Sequence, residues 1–173
     1  MRVRDEAAIV ACIPSLRRYA RGLAGDADRA DDLVQDTLER AWRSFSLWQQ
    51  RGEVRAWLFG ILHNRFIDRL RAQGARPESS AGDDLPEPPV RPTQDDRLEL
   101  RDLERALQRL APEQREVLLL VGVEDLGYAE VARVVGVPIG TVMSRLSRAR
   151  ARLRLELQTG GEPGATQRLQ RVK

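Results

Sequence analysis

The chain has few of the residue types from which most active sites are built. Its 173 residues include one cysteine, Cys12, and one histidine, His63. A single cysteine cannot form an intramolecular disulfide, and this pair cannot supply the ligand sets of the usual zinc sites. The sequence also contains no GxxxxGK[ST], GxGxxG, GxSxG or HExxH motif. We therefore expect a protein that has no metal, no cofactor and no enzymatic activity.

Long apolar segments are absent as well. No run of 18 apolar residues occurs, and the N-terminal MRVRDEAA lacks the apolar core of a signal peptide. The sequence therefore predicts a soluble, cytoplasmic protein without membrane insertion. Aromatic residues make up 5% of the chain and charged residues 32%. This composition suits small helical domains better than one large core.

One segment marks a domain boundary. Residues 73–93 (QGARPESSAGDDLPEPPVRPT) contain five of the nine prolines and hardly any large apolar side chain. A segment of this kind cannot bury enough apolar surface to offset the entropy lost on ordering. We expect a domain at 1–73, a flexible linker at 74–93, a second domain at 94–157 and a disordered tail at 158–173.

The apolar residues on both sides of this linker recur with helical spacing, and no strand-like alternation is present. The first domain is expected to have helices at 5–24, with Pro14 as a break or new first turn, at 27–45 and at 54–72. The second is expected to begin with a helix at 94–110 and to have four short helices. The predicted fold class is all-α, with two small helical domains.

Residues 131–154 (VARVVGVPIGTVMSRLSRARARLR) have the form of a helix-turn-helix. Gly136 can adopt the left-handed conformation that ends a helix, and Pro138 suits the start of the next one. In this motif the second helix enters the DNA major groove.

The second of these helices is amphipathic. Its expected buried positions are Val142, Leu146, Ala149, Leu153 and Leu157. Ser144 and Arg148 point nearly opposite, and the flank carries Thr141, Arg145 and Arg152; Arg150 is expected to lean toward the buried side. Residues 138–154 contain five arginines and no acid. An ordinary helical hairpin with a solvated arginine face would share the amphipathic pattern, but the glycine turn and the absence of acids favour DNA.

The first domain contains two helices of opposite charge. The helix at 27–45 has an acidic outer face, which could serve solubility or could dock a basic partner. The helix at 54–72 has basic residues interleaved with aromatic ones, a pattern typical of single-stranded nucleic-acid binding, although the aromatic residues could equally form the core. The aromatic residues in question are Trp48, Trp57, Phe59 and Phe66.

Three segments resemble the extracytoplasmic-function (ECF, group 4) sigma factors of the sigma-70 family. They are ADDLVQDTLERAW (30–42), RAWLFGILHNRFIDRLR (55–71) and PEQREVLLL followed by GYAEVARVVGVPIGTVMSRLSRARARLR (112–154). The resemblance implies an alternative sigma factor that binds core RNA polymerase and directs promoter-specific transcription initiation. It also implies an anti-sigma factor as a regulatory partner.

The resemblance also implies roles for particular residues. Docking on the β′ coiled coil of RNA polymerase would fall to Asp32, Gln35, Asp36 and Glu39. Capture of the melted −10 element would fall to Trp48, Gln49, Gln50, Arg51, Gly52, His63, Asn64 and Arg65. Reading of the duplex −35 element would fall to Thr141, Ser144, Arg145, Ser147, Arg148 and Arg152. The second domain would also contact the β flap.

Two departures from the family pattern bear on specificity. Met143 stands where the family usually has lysine or arginine, and the 47–53 loop carries QQRGE in place of the commoner phenylalanine-arginine-glycine pattern. Two other classes of protein remain as alternatives. One is a two-domain regulator, which would need a sensor or dimerisation domain at 1–73, and the other is a structural interaction protein without sequence-specific DNA contacts.

Overall fold

The computed structural model describes residues 3–48, 53–74 and 94–160. Within these ranges the chain forms seven α-helices and no β-strand, so the predicted all-α fold class is confirmed. The N-terminal domain consists of α1 (Val3–Ala24), α2 (Ala27–Trp48) and α3 (Val54–Gly74). The C-terminal domain consists of α4 (Gln94–Gln108), α5 (Pro112–Gly122), α6 (Tyr128–Val135) and α7 (Ile139–Gly160).

Several helix ends differ from the expected ones. α1 runs through Pro14 without interruption, because apolar residues on both sides of the proline are packed in the core, and tertiary packing outweighs local propensity. Trp48, expected in a loop, is the last residue of α2. α5 ends at Gly122 and not at Leu126. α7 continues three residues beyond Leu157, into the expected tail; the rest of the tail, 161–173, and the segment 75–93 lie outside the described residues.

The N-terminal domain is a three-helix unit in which α1, α2 and α3 pack on one another. Gly25 joins α1 to α2 with a φ of +71°. Asp26 then caps α2, since its Oδ1 accepts the Arg29 N–H at 2.8 Å. In the core, the rings of Tyr19 and Phe59 meet edge to face at 5.1 Å.

Two of the aromatic residues considered for base stacking belong to this core. Phe59 is fully buried and Phe66 is 7% exposed. The ring of Trp57 is half-buried and contacts that of Phe45. Stacking of DNA bases on Phe59 or Phe66 would therefore require the domain to unfold, and for these two residues the core interpretation is correct.

The C-terminal domain packs α5, α6 and α7 around one apolar centre, with α4 lying along α7. The fully or nearly fully buried side chains at this centre are those of Val117, Leu120, Val131, Val142 and Leu146. The two domains are also packed against each other, with α1 against α5 and α3 against α6. The buried apolar cluster is consequently continuous from one domain to the other.

Candidate nucleic-acid interface

The turn between α6 and α7 has the geometry of a helix-turn-helix. Gly136 lies in the left-handed region, with φ +67° and ψ +35°. The Val137 N–H reaches back 3.1 Å to the Ala132 carbonyl oxygen, which closes a Schellman-type end to α6. At the other end of α6, Glu130 Oε2 accepts the Gly127 N–H at 2.9 Å. Both ends of α6 are therefore fixed, and this sets the direction in which α7 leaves.

The side of α7 that the resemblance assigns to the −35 element, the reading face, is accessible. Ser144, Ser147 and Arg148 are exposed, whereas Thr141 and Arg145 are half-buried. Ser144 Oγ donates to the Thr141 carbonyl oxygen at 3.0 Å. This bond uses the only hydroxyl proton of Ser144, so the lone pairs of its oxygen remain to accept a hydrogen bond from a ligand.

The C-terminal half of α7 departs from the prediction in two ways. Arg150 is exposed and does not face the core. Leu157 is 42% exposed, whereas Glu156, one residue earlier, is 7% exposed. Glu156 is held by Arg109, in the turn after α4, at 3.1 Å and by Arg152 at 2.5 Å. α4 lies along this side of α7, and the turn after it brings the Arg109 cation to Glu156, so that an acid and not a leucine occupies the buried position.

The pair with Glu156 also distinguishes Arg152 from the other arginines expected to contact phosphates. Its guanidinium already binds a carboxylate, although its side chain remains 54% exposed. Among the described residues, no acidic group pairs with the remaining arginines of α7, which are Arg145, Arg148, Arg150 and Arg154. These four give the helix a basic surface that is not neutralised from within the domain.

A cleft of about 330 Å³ adjoins the reading face, between the start of α6 and the middle of α7. Tyr128 and Met143 line it and are 37% and 53% exposed. Ser147, Arg150 and Arg154 complete the same wall. Met143 is thus on the surface beside the reading residues, where a thioether offers apolar contact but no strong hydrogen bond.

The acidic face of α2 is also exposed. Asp32, Gln35, Asp36 and Glu39 lie on one side of the helix at spacings of three, one and three residues, and all four are accessible. The opposite side buries Leu33, Val34, Thr37 and Ala41. Asp36 is the most strongly paired member of the exposed set, because Arg69 of α3 donates to its Oδ2 at 2.6 Å.

The residues expected to contact the −10 element are divided by the structure. Gln49, Gln50, Arg51 and Gly52 lie outside the described residues, and Trp48 ends α2. On α3, Asn64 is exposed and Arg65 lies 3.9 Å from Asp68 Oδ2. His63, which the resemblance assigns to the −10 element, has a side chain that is only 14% exposed.

His63 is covered because it pairs with the other domain. Its Nδ1 lies 2.6 Å from Oε1 of Glu116, on α5. The same oxygen accepts the Tyr19 hydroxyl at 3.0 Å. Burial, and after it the nearby charge of Glu116, raises the pKa of Tyr19 well above its ordinary value. One carboxylate that is 1% exposed therefore ties α1 and α3 to α5.

A second buried carboxylate makes a parallel connection. Glu124, in the turn after α5, receives both Nε and Nη2 of Arg18, each at 2.9 Å. Arg55 of α3 adds a bond to Oε2 at 3.1 Å and another to the Glu124 backbone carbonyl. The following residue, Asp125, has a φ of +54°, in the left-handed region that aspartate adopts more readily than most non-glycine residues.

The C-terminal end of α1 is satisfied across the same boundary. Arg115 donates to the Leu23 carbonyl oxygen at 2.6 Å, and Gln108 donates to that of Gly22 at 3.1 Å. The last carbonyls of a helix have no partner within it and favour a cation. Arg115 is itself 7% exposed, and burial lowers the pKa of its guanidinium.

Sequence patterns did not predict these interdomain pairs. Their partners are separated by 53 to 106 residues. One local feature points to their burial. Arg115 and Glu116 directly precede the apolar run 117–121, so two charged residues stand next to a segment that is expected to be buried.

Comparisons with known proteins agree with this fold. Two family models match the chain: the Sigma2 domain of PhyR over residues 9–63, and Sigma-70, region 4 over residues 100–153. The ECF RNA polymerase sigma factor EcfG of Rhodopseudomonas palustris (strain TIE-1) is 40% identical over 159 residues, which is 92% of this chain and 87% of the relative.

Solved structures give the same result. The sigma factor RpoE of Bartonella quintana, in complex with the anti-sigma factor NepR, is 35% identical with a TM-score of 0.73, over 88% of this chain and 96% of that one. CnrH, in complex with the cytosolic domain of CnrY, is 28% identical with a TM-score of 0.68, over 90% and 88% of the two chains.

The chain therefore belongs to the ECF RNA polymerase sigma factors, which are transcription regulators and not enzymes. Among the described residues, no group of three or more His, Cys, Asp or Glu side chains could hold a metal ion. No helix in the described part of the chain is long and apolar enough to cross a membrane.

Proposed function

We propose that this protein acts in the cytoplasm, binds core RNA polymerase and directs transcription initiation from its own set of promoters. The observation that carries the proposal is the pairing of two exposed surfaces of opposite charge on separate domains. α7, the second helix of the helix-turn-helix, has an exposed basic face, and α2 has a row of exposed acidic and amide side chains. The first suits DNA, and the second suits the β′ coiled coil of the polymerase.

The C-terminal domain reads the −35 element as duplex and contacts the β flap. Ser144, Ser147 and Arg148 face base edges, while Thr141, Arg145 and Arg152 hold phosphates. Because Ser144 Oγ donates its proton to the Thr141 carbonyl oxygen, it can act toward DNA as an acceptor from a base amino group. Arg148 is exposed and unpaired, as a guanidinium that is to bind a guanine edge must be.

The N-terminal domain captures the melted −10 element. Trp48, the 49–52 segment and the α3 residues His63, Asn64 and Arg65 hold flipped bases and the non-template strand. Trapping unstacked bases offsets a few kcal/mol per step. Because trapping lowers the energy of the open state, strand separation needs no ATP. Residues 74–93 serve as a tether between the two readers.

An anti-sigma factor is the expected regulator. The RpoE chain of Bartonella quintana is in complex with such a factor, NepR, and its similarity covers most of this chain. A partner of this kind would occupy the polymerase-binding faces and prevent assembly of the holoenzyme.

In-vitro transcription with core RNA polymerase and a genomic promoter library tests the proposal. We expect initiation from a subset of promoters that share a −35 motif. If the chain directed initiation from no promoter in the library, the proposed initiation activity would be wrong.

The role of Arg148 can be tested in the same assay with Arg148→Ala. We expect altered preference at one or two −35 positions, at a cost of about 1–3 kcal/mol on the preferred base. Arg101→Ala, at an exposed position of α4, is the matched control and should leave the preference unchanged. Equal loss on every promoter, with a smaller salt dependence, would mean that Arg148 holds only phosphate.

A further inference from the structure

One apolar side chain lies beside the polar residues of the reading face. Met143 is 53% exposed, and its neighbours on the exposed side of α7 include Ser144 and, one turn later, Ser147. Single exposed apolar residues are common on protein surfaces and need no partner. Met143 differs from such residues in its position, because the proposed function places promoter DNA over this part of the helix.

The charge around Met143 favours a nucleic acid as the partner that covers it. Arg150 and Arg154 line the cleft together with Met143. Among the described residues, neither arginine is paired with an acid. A partner on this surface therefore has to bring negative charge to two guanidinium groups. The phosphates that flank the major groove of a DNA duplex supply such charge at regular spacing.

The side chains next to Met143 along the helix are small. Gly140 lies one turn before it and Ser147 one turn after it, and both are exposed. A Cβ at Gly140 would meet nothing within 4 Å, so this part of the surface is open. Small side chains let the backbone of α7 come close to base edges in the major groove, which admits an α-helix. The long, unbranched side chain of Met143 can then extend to a base edge beside them.

A methionine can distinguish one feature of the major groove. Its thioether has no hydrogen-bond donor and is only a weak acceptor, so the amino, carbonyl and ring-nitrogen groups of the bases attract it little. The apolar group that a base presents in this groove is the C5-methyl of thymine. Contact with Met143 would remove this methyl group from water, which corresponds to about a fourfold gain in affinity.

We propose that Met143 is a specificity-determining residue that selects thymine at one position of the −35 element by contact with the thymine methyl group. Tyr128 lines the same cleft from the start of α6 and is 37% exposed, so its ring provides an apolar wall on the other side of the contact. The proposal rests on the proposed function, since it takes the duplex element as the ligand of α7.

Deoxyuridine tests this contact directly, because it lacks the C5-methyl of thymine and keeps all its hydrogen-bonding groups. A randomised duplex library is first selected with the full chain, alone and in complex with core RNA polymerase. Each thymine of the selected duplex site is then replaced singly by deoxyuridine, and the dissociation constants are compared. We expect a loss of about fourfold at one thymine and no loss at the others.

Variants at position 143 show whether Met143 causes this difference. Met143→Ala should bind the thymine and deoxyuridine duplexes equally. Met143→Leu keeps an apolar side chain of similar volume and should retain the preference. Both variants should keep the base preference that the proposed function assigns to Arg148, because α7 still docks in the same register. Val123→Ala, at an apolar position that is 44% exposed in the turn after α5, is the matched control and should behave as wild type.

Several results would overturn the proposal. The first is a selection that yields no preferred sequence, or one without thymine at a fixed position. The second is equal binding of thymine and deoxyuridine by wild type at every position. A preference that survives in Met143→Ala, or that is lost in Met143→Leu, would exclude an apolar contact from this side chain. If Met143→Ala also lost the preference assigned to Arg148, Met143 would serve the docking of α7 and not the reading of a base.

Transcription with core RNA polymerase separates this outcome from that of the proposed function. If the chain discriminates thymine from deoxyuridine through Met143 but initiates from no promoter, the initiation activity fails while the methyl contact stands. If the chain initiates from promoters but tolerates deoxyuridine at every −35 position, the methyl contact fails while the initiation activity stands.

Discussion

The helix-turn-helix depends on one backbone conformation, and Gly136→Ala tests it. Gly136 has a φ of +67°, and a Cβ built there meets nothing within 4 Å. The cost of the substitution is therefore backbone strain alone, about 1–2 kcal/mol for an L-residue in this region. The smaller entropy of the unfolded alanine chain returns about 0.4–1 kcal/mol. We expect a net loss of about 1 kcal/mol in the free energy of unfolding.

Gly140→Ala is the matched control, because Gly140 also has open space around its Cβ position but lies within α7. There the substitution should stabilise the chain by about 0.4–1 kcal/mol, because alanine lowers the conformational entropy of the unfolded chain. Gly136→Asn should lose less than Gly136→Ala, since asparagine visits the left-handed region more readily. Urea unfolding followed by far-UV circular dichroism compares the three variants with wild type.

The order of the variants decides the outcome. The reasoning requires Gly136→Ala to be the least stable of the three and Gly140→Ala the most stable. If Gly136→Ala matched or exceeded Gly140→Ala, the turn would be relaxing to a negative φ, and the direction of α7 would not depend on this glycine.

Three further predictions follow from buried titratable groups. Burial first, and then the charge of Glu116, raises the pKa of Tyr19. The contribution of Tyr19 to the free energy of unfolding is therefore complete below about pH 10 and is lost as pH rises toward the higher folded-state pKa. Urea unfolding between pH 9 and about 11 should show this loss in wild type and a flatter profile in Tyr19→Phe. A hydrogen bond from Arg109, against the opposing effect of burial, lowers the pKa of Glu156. The contribution of Glu156 to the free energy of unfolding is therefore present above its ordinary pKa and declines as pH falls below about 4.3. Arg109→Gln should weaken this dependence of stability on acid pH, and an unchanged pH profile would contradict the prediction. Burial raises the pKa of the Cys12 thiol, with an opposing effect of Arg55, so iodoacetamide should react more slowly at pH about 8 with the folded chain than with the chain in urea.

Local patterns alone determined much of this protein. Helical periodicity predicted an all-α chain, and the helices predicted at 27–45 and 54–72 correspond to α2 and α3. Gly136 and Pro138 predicted the turn before α7, because only certain residues satisfy those backbone conformations. The buried positions Val142, Leu146 and Ala149 followed from helical spacing, since one helix determines which of its faces is apolar.

Tertiary structure decided what each face meets. His63 could not be placed from the sequence, because periodicity marks a side of a helix and not the group opposite it. The same limit applies to Glu156, which pairs with Arg109 from the turn after α4. Glu116 and Glu124 are buried only because cations and a phenol from the other domain, far away in the chain, come within hydrogen-bonding distance. Such pairing arises when the helices pack, and no local pattern encodes it.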